Sequence, residues 1–398
     1  MKGAFIYVKT GKGHFVPAKA LADAMIHMGY DAVIADLFEI CDAPLWNNYA
    51  CSNWRFMLAH PKLERILDKG SDNKGSGWAL KNLPPLIGHY SQSFYQWYCH
   101  HKPDFFLCTN YLGGIIIPEL LKKLDLDVPV FSYASDVFNA PVPGLNEELV
   151  KYYVPTKLGR ENMIANGMSP GKVDICPFPL QYSIQHLPQL SKQESRKRLG
   201  LKDTFTVLLN MGGEGIGDIK MLEEIAKKGF PWQVVVVGKL AKETESKIRQ
   251  FREEHPSFNL ITPGFVNNIG EYILSCDVQA GKAGANALME SLALKRPFLL
   301  SVVLYGAIDT ATYMNRYHVG WVEDNVKKQV KILVAFAKNT TVLDGNFALL
   351  PTVFDSEAFV LQAIYDAQRY RLTHPLTFPK KEKRKHDTQK GRKMCLSF

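Results

Sequence analysis

Residues 276–297 read Cys-Asp-Val-Gln-Ala-Gly-Lys-Ala-Gly-Ala-Asn-Ala-Leu-Met-Glu-Ser-Leu-Ala-Leu-Lys-Arg-Pro. Cys276 to Ala280 form the end of a strand, and the small residues Gly281 to Ala285 form a loop. A helix follows from about Asn286 to Leu294, and Pro297 opens the next apolar strand. Small residues let a ligand approach the backbone, and the free N–H groups and positive dipole of a helix start attract phosphate. One turn into the helix stands Glu290, a carboxylate able to accept hydrogen bonds from a ribose. A diphosphate at the helix tip beside an acid describes a nucleotide-sugar site. An ordinary strand–loop–helix unit with small residues for packing describes the same segment equally well.

The same alternation runs outward in both directions, which predicts an α/β chain with parallel sheets. Gly3–Val8, Ala32–Asp36, Phe105–Thr109, Val128–Ala134, Tyr152–Val154 and Val173–Cys176 read as strands, with helices at Pro17–Met28, Gly114–Leu124 and Lys157–Asn166. Residues 42–102 are less regular; they hold four of the six tryptophans and an expected flexible loop, Lys69–Gly77. The polar run Ser191–Arg198 after a proline-rich stretch marks a linker. The pattern then restarts: strand Thr206–Asn210, a glycine loop at 212–217, strand Gln233–Val237, helix 240–254, strand 277–280. Phe354–Arg371 reads as a long terminal helix. Each half opens with a strand and a glycine-rich loop. Ligands in such sheets bind at the carboxyl ends of the strands, so two facing halves would hold one ligand between them.

The length, 398 residues, suits two domains. The seven cysteines form no Cys-x-x-Cys pair, which indicates neither a zinc site nor a disulfide framework and suggests a reducing compartment. The apolar runs are too short to span a bilayer, so membrane contact would be peripheral. The net charge is +9, and residues 379–398 alone carry eight Lys/Arg against Glu382 and Asp387. A basic tail of this kind is drawn to anionic lipid or nucleic acid. It also fits a solvated end with no partner. Nothing in the body resembles a nucleic-acid-binding module.

Three further constellations carry chemistry. In Lys9-Thr10-Gly11-Lys12-Gly13-His14 an imidazole stands at a helix start, where the dipole disfavours its protonated form. A neutral histidine facing a cleft suits general-base work; a capping histidine is the alternative. Asn210-Met211-Gly212-Gly213-Glu214-Gly215-Ile216-Gly217 is read as a backbone anion cradle. Asp136, after the strand 128–134, is a second base candidate, a partner orienting His14, or the opening of an Asx turn. Asp125-Leu126-Asp127 precedes Val-Pro at a helix-to-strand turn and is read as turn residues rather than as a metal site.

Four segments together resemble the monogalactosyldiacylglycerol synthase and processive diacylglycerol glucosyltransferase group of glycosyltransferase family 28. Thr10-Gly11-Lys12-Gly13-His14 is similar to its first glycine loop, Ser135-Asp136 to its Thr-Asp, and Leu208–Gly217 to its donor-side loop. Gly264-Phe265-Val266, Cys276-Asp277 and Lys282-Ala283-Gly284 to Glu290 are similar to the nucleotide-holding region. The likeness covers about residues 1–325. It implies an α/β chain of GT-B fold, two Rossmann-like domains facing across a cleft, with metal-free inverting transfer from a UDP-sugar and no cofactor. The expected organisation is an acceptor- and membrane-facing domain 1–180, a linker 181–198, a UDP-sugar domain 199–350, a C-terminal helix 351–378 and a basic disordered tail 379–398.

The resemblance assigns His14 and Asp136 to catalysis and Gly11 and Gly13 to the acceptor-side loop. UDP is assigned to Gly212, Gly213, Glu214, Gly215, Phe265, Val266, Lys282, Ala283, Gly284, Ala285, Asn286 and Glu290. The chain departs from the group in places. Lys12 replaces a glycine, Ala285-Asn286 stands for Pro-Gly, and Gly306-Ala307-Ile308-Asp309 stands where a Gly-Gln-Glu touches the donor sugar, leaving Asp309 as the carboxylate there. The expected partners are a UDP-sugar, a lipid acceptor such as diacylglycerol and an anionic membrane surface at the cytoplasmic face, with no nucleic acid. The aromatic stretch Trp46 to Tyr98 is the expected membrane contact, and the terminal Cys395-Leu396-Ser397-Phe398 loosely fits a prenylation box. A polyprenyl-linked or soluble acceptor, or a non-catalytic nucleotide-sugar-binding protein, are the competing readings.

Overall fold

The computed structural model describes residues 1–10, 12–81, 90–138, 140–211, 219–282, 284–302 and 308–374. Two six-stranded parallel sheets are present. The first holds β1 (Lys2–Tyr7), β2 (Asp31–Asp36), β3 (Phe105–Cys108), β4 (Val130–Tyr133), β5 (Lys151–Val154) and β6 (Val173–Ile175), in the order β2-β1-β3-β4-β5-β6. The second holds β7 (Thr206–Asn210), β8 (Gln233–Val237), β9 (Asn259–Gly264), β10 (Val278–Lys282), β11 (Phe298–Val302) and β12 (Gly320–Val322), in the order β12-β11-β10-β7-β8-β9. The central strands are apolar on both faces because helices cover both sides; β8, Gln-Val-Val-Val-Val, is buried throughout.

The strand order reverses between β1 and β3 in the first sheet and between β7 and β10 in the second. Such a reversal parts the flanking helices to opposite faces and leaves a crevice at the carboxyl ends of the two strands. The glycine-rich stretches of the sequence follow β1 and β7, the two strands that border these crevices; Gly11 and residues 212–218 lie outside the described residues.

The chain crosses between the sheets twice, side by side. Phe178 donates its N–H to Val353 O (2.7 Å), and Asp355 N–H returns to Phe178 O (3.2 Å). The long helix Ser356–Thr373, capped by the Asp355 side chain on Ala358 N, then packs back under the first sheet. There Phe359 meets Tyr133 and Tyr153 at ring centroid distances of 5.5 and 5.2 Å. Such ring pairs contribute about 0.5–1.5 kcal/mol each beyond area burial. Asp127, read as a turn residue, accepts from Tyr370 Oη at 2.7 Å and so pins the far end of that helix.

Two segments carry more regular structure than their sequence suggests. Residues 181–198, the expected linker, run between the two sheets and hold the short helices Tyr182–Gln185 and Lys192–Arg198. Ser191 caps the helix Lys192–Arg198 in a capping box with Glu194, and Arg196 lies buried against Asp277 at 2.7 Å. Asp277 also accepts from Thr206 N (2.7 Å). It sits at the amino end of β10, away from the crevice, and anchors this helix rather than a nucleotide. Residues 69–77 are not a flexible loop: 69–71 end the helix Pro61–Ser71, Asp72 and Asn73 turn the chain, and 74–77 open the helix Lys74–Lys81. The apolar residues of the first of these face outward, so its periodicity did not mark a buried face.

Candidate functional site

One cleft of about 1140 Å³ opens at both crevices. From the first sheet side it is lined by Gly13, His14, Asp136 and Tyr111; from the second by Phe265, Val266, Lys282, Gly284, Ala285, Asn286 and Glu290. Gly11, Gly212, Gly213, Glu214, Gly215 and Ala283 lie outside the described residues. The glycines differ in what keeps them small. A Cβ on Gly281 would meet Asn210 O at 2.8 Å, so strand packing explains it, whereas Gly13 and Gly284 face open space.

His14 precedes the helix Phe15–His27 and makes no side-chain cap bond, which sets aside the capping reading. Its Nδ1 lies 3.1 Å from Thr109 O and 2.8 Å from Ser135 Oγ. A carbonyl oxygen only accepts, so the Thr109 contact assigns the proton to Nδ1 and leaves the lone pair on Nε2. Burial lowers the imidazole pKa to about 4, partly opposed by the Thr109 carbonyl. Burial, rather than the helix dipole invoked from sequence, is the main cause. His14 is therefore a neutral base at pH 7.

Asp136 is not the group that orients His14; Thr109 and Ser135 are. Its own pKa is raised to about 7, first by burial and then by the nearby Asp68 carboxylate. Asp68 belongs to the helix Pro61–Ser71, whose Glu64, 2% exposed, also lines the cleft.

On the second side, Glu290 accepts from Gln181 Nε2 at 2.6 Å. Its pKa rises to about 7 because burial outweighs that hydrogen bond. Lys282, at the carboxyl end of β10, is half-buried; burial lowers its pKa, and no carboxylate pairs with it among the described residues. The two sides touch. Asn286 Nδ2 donates to Gly13 O at 3.1 Å, and Lys12 Nζ stands 5.0 Å from the Phe15 ring and 5.7 Å from the Phe265 ring. Lys12 and Asn286 are the two residues that depart from the family's glycines, and both bridge the cleft.

Asp309 does not line the cleft. It lies on the helix Ile308–Tyr317 and accepts from Asn162 Nδ2 at 3.3 Å. The next residue, Thr310, lines the cleft instead. Sequence reasoning missed Thr310 and Gln181. A search for polar residues in the first turn of a helix that follows a strand would have found Thr310; Gln181 depends on the crossing of the chain and carries no local signal.

The aromatic stretch divides. Trp97 packs on Phe94 and Phe106 in the first core, Trp46 and Trp54 wall the cleft with Leu58 and Ile116, and Trp78 is 70% exposed. Among the described residues no helix is long and apolar enough to cross a membrane, and no cluster of metal-ligating side chains occurs.

No protein-family model matches the chain. Among curated proteins it is similar to the processive diacylglycerol beta-glucosyltransferase of Bacillus pumilus, 25% identical over 302 residues, 73% of this chain and 74% of the relative. The Staphylococcus aureus protein of that name is 23% identical over 314 residues, 72% and 76% of the two chains. The resemblance seen in four short motifs thus extends over most of the sequence. Solved structures agree on the fold. Anabaena HepE in complex with UDP superposes with a TM-score of 0.57 at 12% identity, covering 93% of this chain and 100% of that one. The UDP-GlcNAc 2-epimerase of Neisseria meningitidis bound to UDP-GlcNAc gives 0.57 at 11%, covering 93% and 100%. The glycosyltransferase SnogD of Streptomyces nogalater gives 0.54 at 13%, covering 92% and 99%. The chain has the two-domain GT-B fold. An epimerase shares it, so the fold by itself does not select the reaction.

Proposed function

We propose that this relative of the processive diacylglycerol glucosyltransferases is an inverting hexosyltransferase that moves a sugar from a UDP-sugar to a membrane lipid such as diacylglycerol. The observation that carries the reading is the cleft in which a neutral base, His14, from the first sheet, faces Lys282, which no carboxylate pairs among the described residues, at the carboxyl end of a strand of the second.

In this reading Glu290 holds the ribose, and Phe265 and Val266 wall the donor half. The loop 212–215, with Ala283, Gly284, Ala285 and Asn286, cradles the diphosphate. His14 Nε2 takes the proton from the acceptor hydroxyl as that oxygen bonds to the anomeric carbon. The bond from that carbon to the diphosphate oxygen breaks on the opposite face, and UDP leaves with the electron pair. Lys282, Lys12 and backbone N–H groups take up the leaving charge, so no cofactor is invoked. Asp136, with a pKa of about 7, is the alternative base.

A lipid acceptor is supported by the outer wall and the outer surface. Trp46, Trp54, Leu58 and Ile116 give the first-sheet side an apolar lining. On the helix Pro61–Ser71 the acid Glu64 is buried while Leu63, Ile66 and Leu67 point to solvent beside exposed Lys62, Arg65 and Lys69. A helix with its carboxylate inward and its leucines outward among basic residues is suited to an anionic membrane interface. The protein would work there peripherally, at the cytoplasmic face. The basic tail 379–398, with Cys395, lies outside the described residues; its charge suits the same surface.

The test is incubation with radiolabelled UDP-hexoses and vesicles containing diacylglycerol. Label extracted into the organic phase is the expected result. Label that stays aqueous, as free sugar or as an epimerised UDP-sugar, would overturn the reading.

A further inference from the structure

Thr310 has a buried hydroxyl with no partner. The residue is 1% exposed, it lines the cleft, and its Oγ1 makes no hydrogen bond. Burying a hydroxyl unpaired costs stability, and a native structure that keeps one calls for a reason. Among the described residues the other buried orphan side-chain atoms belong to Tyr133, Ser195, Gln279, Arg296 and Arg371, and none of these lines the cleft.

The position of Thr310 narrows what its partner is. Its helix, Ile308–Tyr317, follows β11, the neighbour of the strand that ends in Lys282. The same helix packs on the loop that carries Asp136. Asn162 Nδ2 donates both to Phe138 O (2.8 Å) and to Asp309 Oδ2 (3.3 Å), and the Tyr313 ring lies 4.6 Å from that of Phe138. Thr310 therefore stands where the donor half of the cleft meets the acid–base half. In a transfer reaction the migrating group occupies that junction, between its leaving group and the base.

We infer that the Thr310 hydroxyl, and not the Asp309 carboxylate, hydrogen-bonds a hydroxyl of the sugar being transferred. This rests on the donor reading above. The carboxylate is turned to Asn162 and is spent on joining the two sides. A hydroxyl both donates and accepts, so it contacts either a donor or an acceptor on the sugar. It replaces the charged contact of the resembled family with a neutral one, which discriminates less sharply between hexose epimers.

The experiment compares wild type with Thr310→Val, which keeps the shape and removes the hydroxyl, and with Thr310→Ser, which restores it. UDP, UDP-glucose and UDP-galactose are titrated calorimetrically and melting temperatures are recorded without ligand. In Thr310→Val the affinity for UDP should stay as in wild type. The affinity for the UDP-hexose that wild type binds should fall about tenfold, the scale of one lost hydrogen bond. The free protein should melt higher, because the orphan hydroxyl is gone, and Thr310→Ser should bind the UDP-hexose as wild type does. An unchanged ratio of UDP-hexose to UDP affinity overturns the inference. So does a lower melting temperature of the valine variant, which would show that the hydroxyl has a structural partner. Failure of wild type to bind UDP at all would instead strike the donor reading itself.

Discussion

The two crevices of this molecule have one topology and different side chains at their strand ends. Each lies where a parallel sheet reverses its strand order, and each borders a strand that the sequence follows with a glycine-rich stretch. The first holds the candidates for moving a proton: His14, lowered by burial to about 4 and so neutral at pH 7, and Asp136, raised to about 7 and so about half ionised there. The second keeps a cation, Lys282, unpaired among the described residues, beside a helix start. A neutral base and a half-neutral acid are suited to moving a proton; fixed positive charge is suited to holding an anion. The same backbone device thus supports either task, and the side chains at the strand ends decide which.

The largest effect should come from the first crevice. His14→Ala should lower turnover by about 10²–10⁴-fold, the usual loss on removing a general base. Near-normal turnover would move the base to Asp136, and the pH profile would show it. With His14 as base, activity persists as the pH falls toward 4; with Asp136 as base, it declines below about 7.

A second test uses stability and sharpens the contrast from the other side. Glu290 has a folded pKa of about 7, above the ordinary carboxylate value. The folded state therefore holds the extra proton between those two values. The stability this group contributes is full at low pH and is lost as the pH rises through 7. Glu290→Gln keeps the acceptor for Gln181 and removes the titration. It should gain on wild type between pH 5 and pH 8 by on the order of 2 kcal/mol, read from denaturant unfolding at the two pH values. An equal difference at both would show that Glu290 is not buried as a titrating acid.

The smallest effect concerns the surface. Ile66→Ser and Leu67→Ser remove exposed apolar area from the helix Pro61–Ser71. Each should weaken co-sedimentation with anionic vesicles by a few-fold while leaving UDP affinity unchanged. Undiminished sedimentation would remove this face from the account.

Much of this was legible in the sequence. The strands could be read because parallel strands are continuous apolar runs, as in Val234–Val237, and the crevice residues because small residues cluster where ligands approach. Three things were hidden for physical reasons. The partner of His14 is the Thr109 carbonyl, a backbone atom that every residue carries. The bridge from Asn286 to Gly13 joins residues 273 positions apart and leaves no periodicity. The helix Pro61–Ser71 inverts the usual rule of apolar inside, so it read as irregular. Asp309 and Thr310 show a finer limit: the sequence pointed to the carboxylate, and one step along a helix decides which side chain meets the cleft.

The division of labour between the crevices is tested most directly by titrating UDP, by calorimetry, into wild type, His14→Ala and Lys282→Met. The account predicts that wild type and His14→Ala bind UDP alike and that Lys282→Met binds at least about tenfold more weakly, the loss of one charge-assisted contact to phosphate. Equal affinity in Lys282→Met, or a matching loss in His14→Ala, would contradict it.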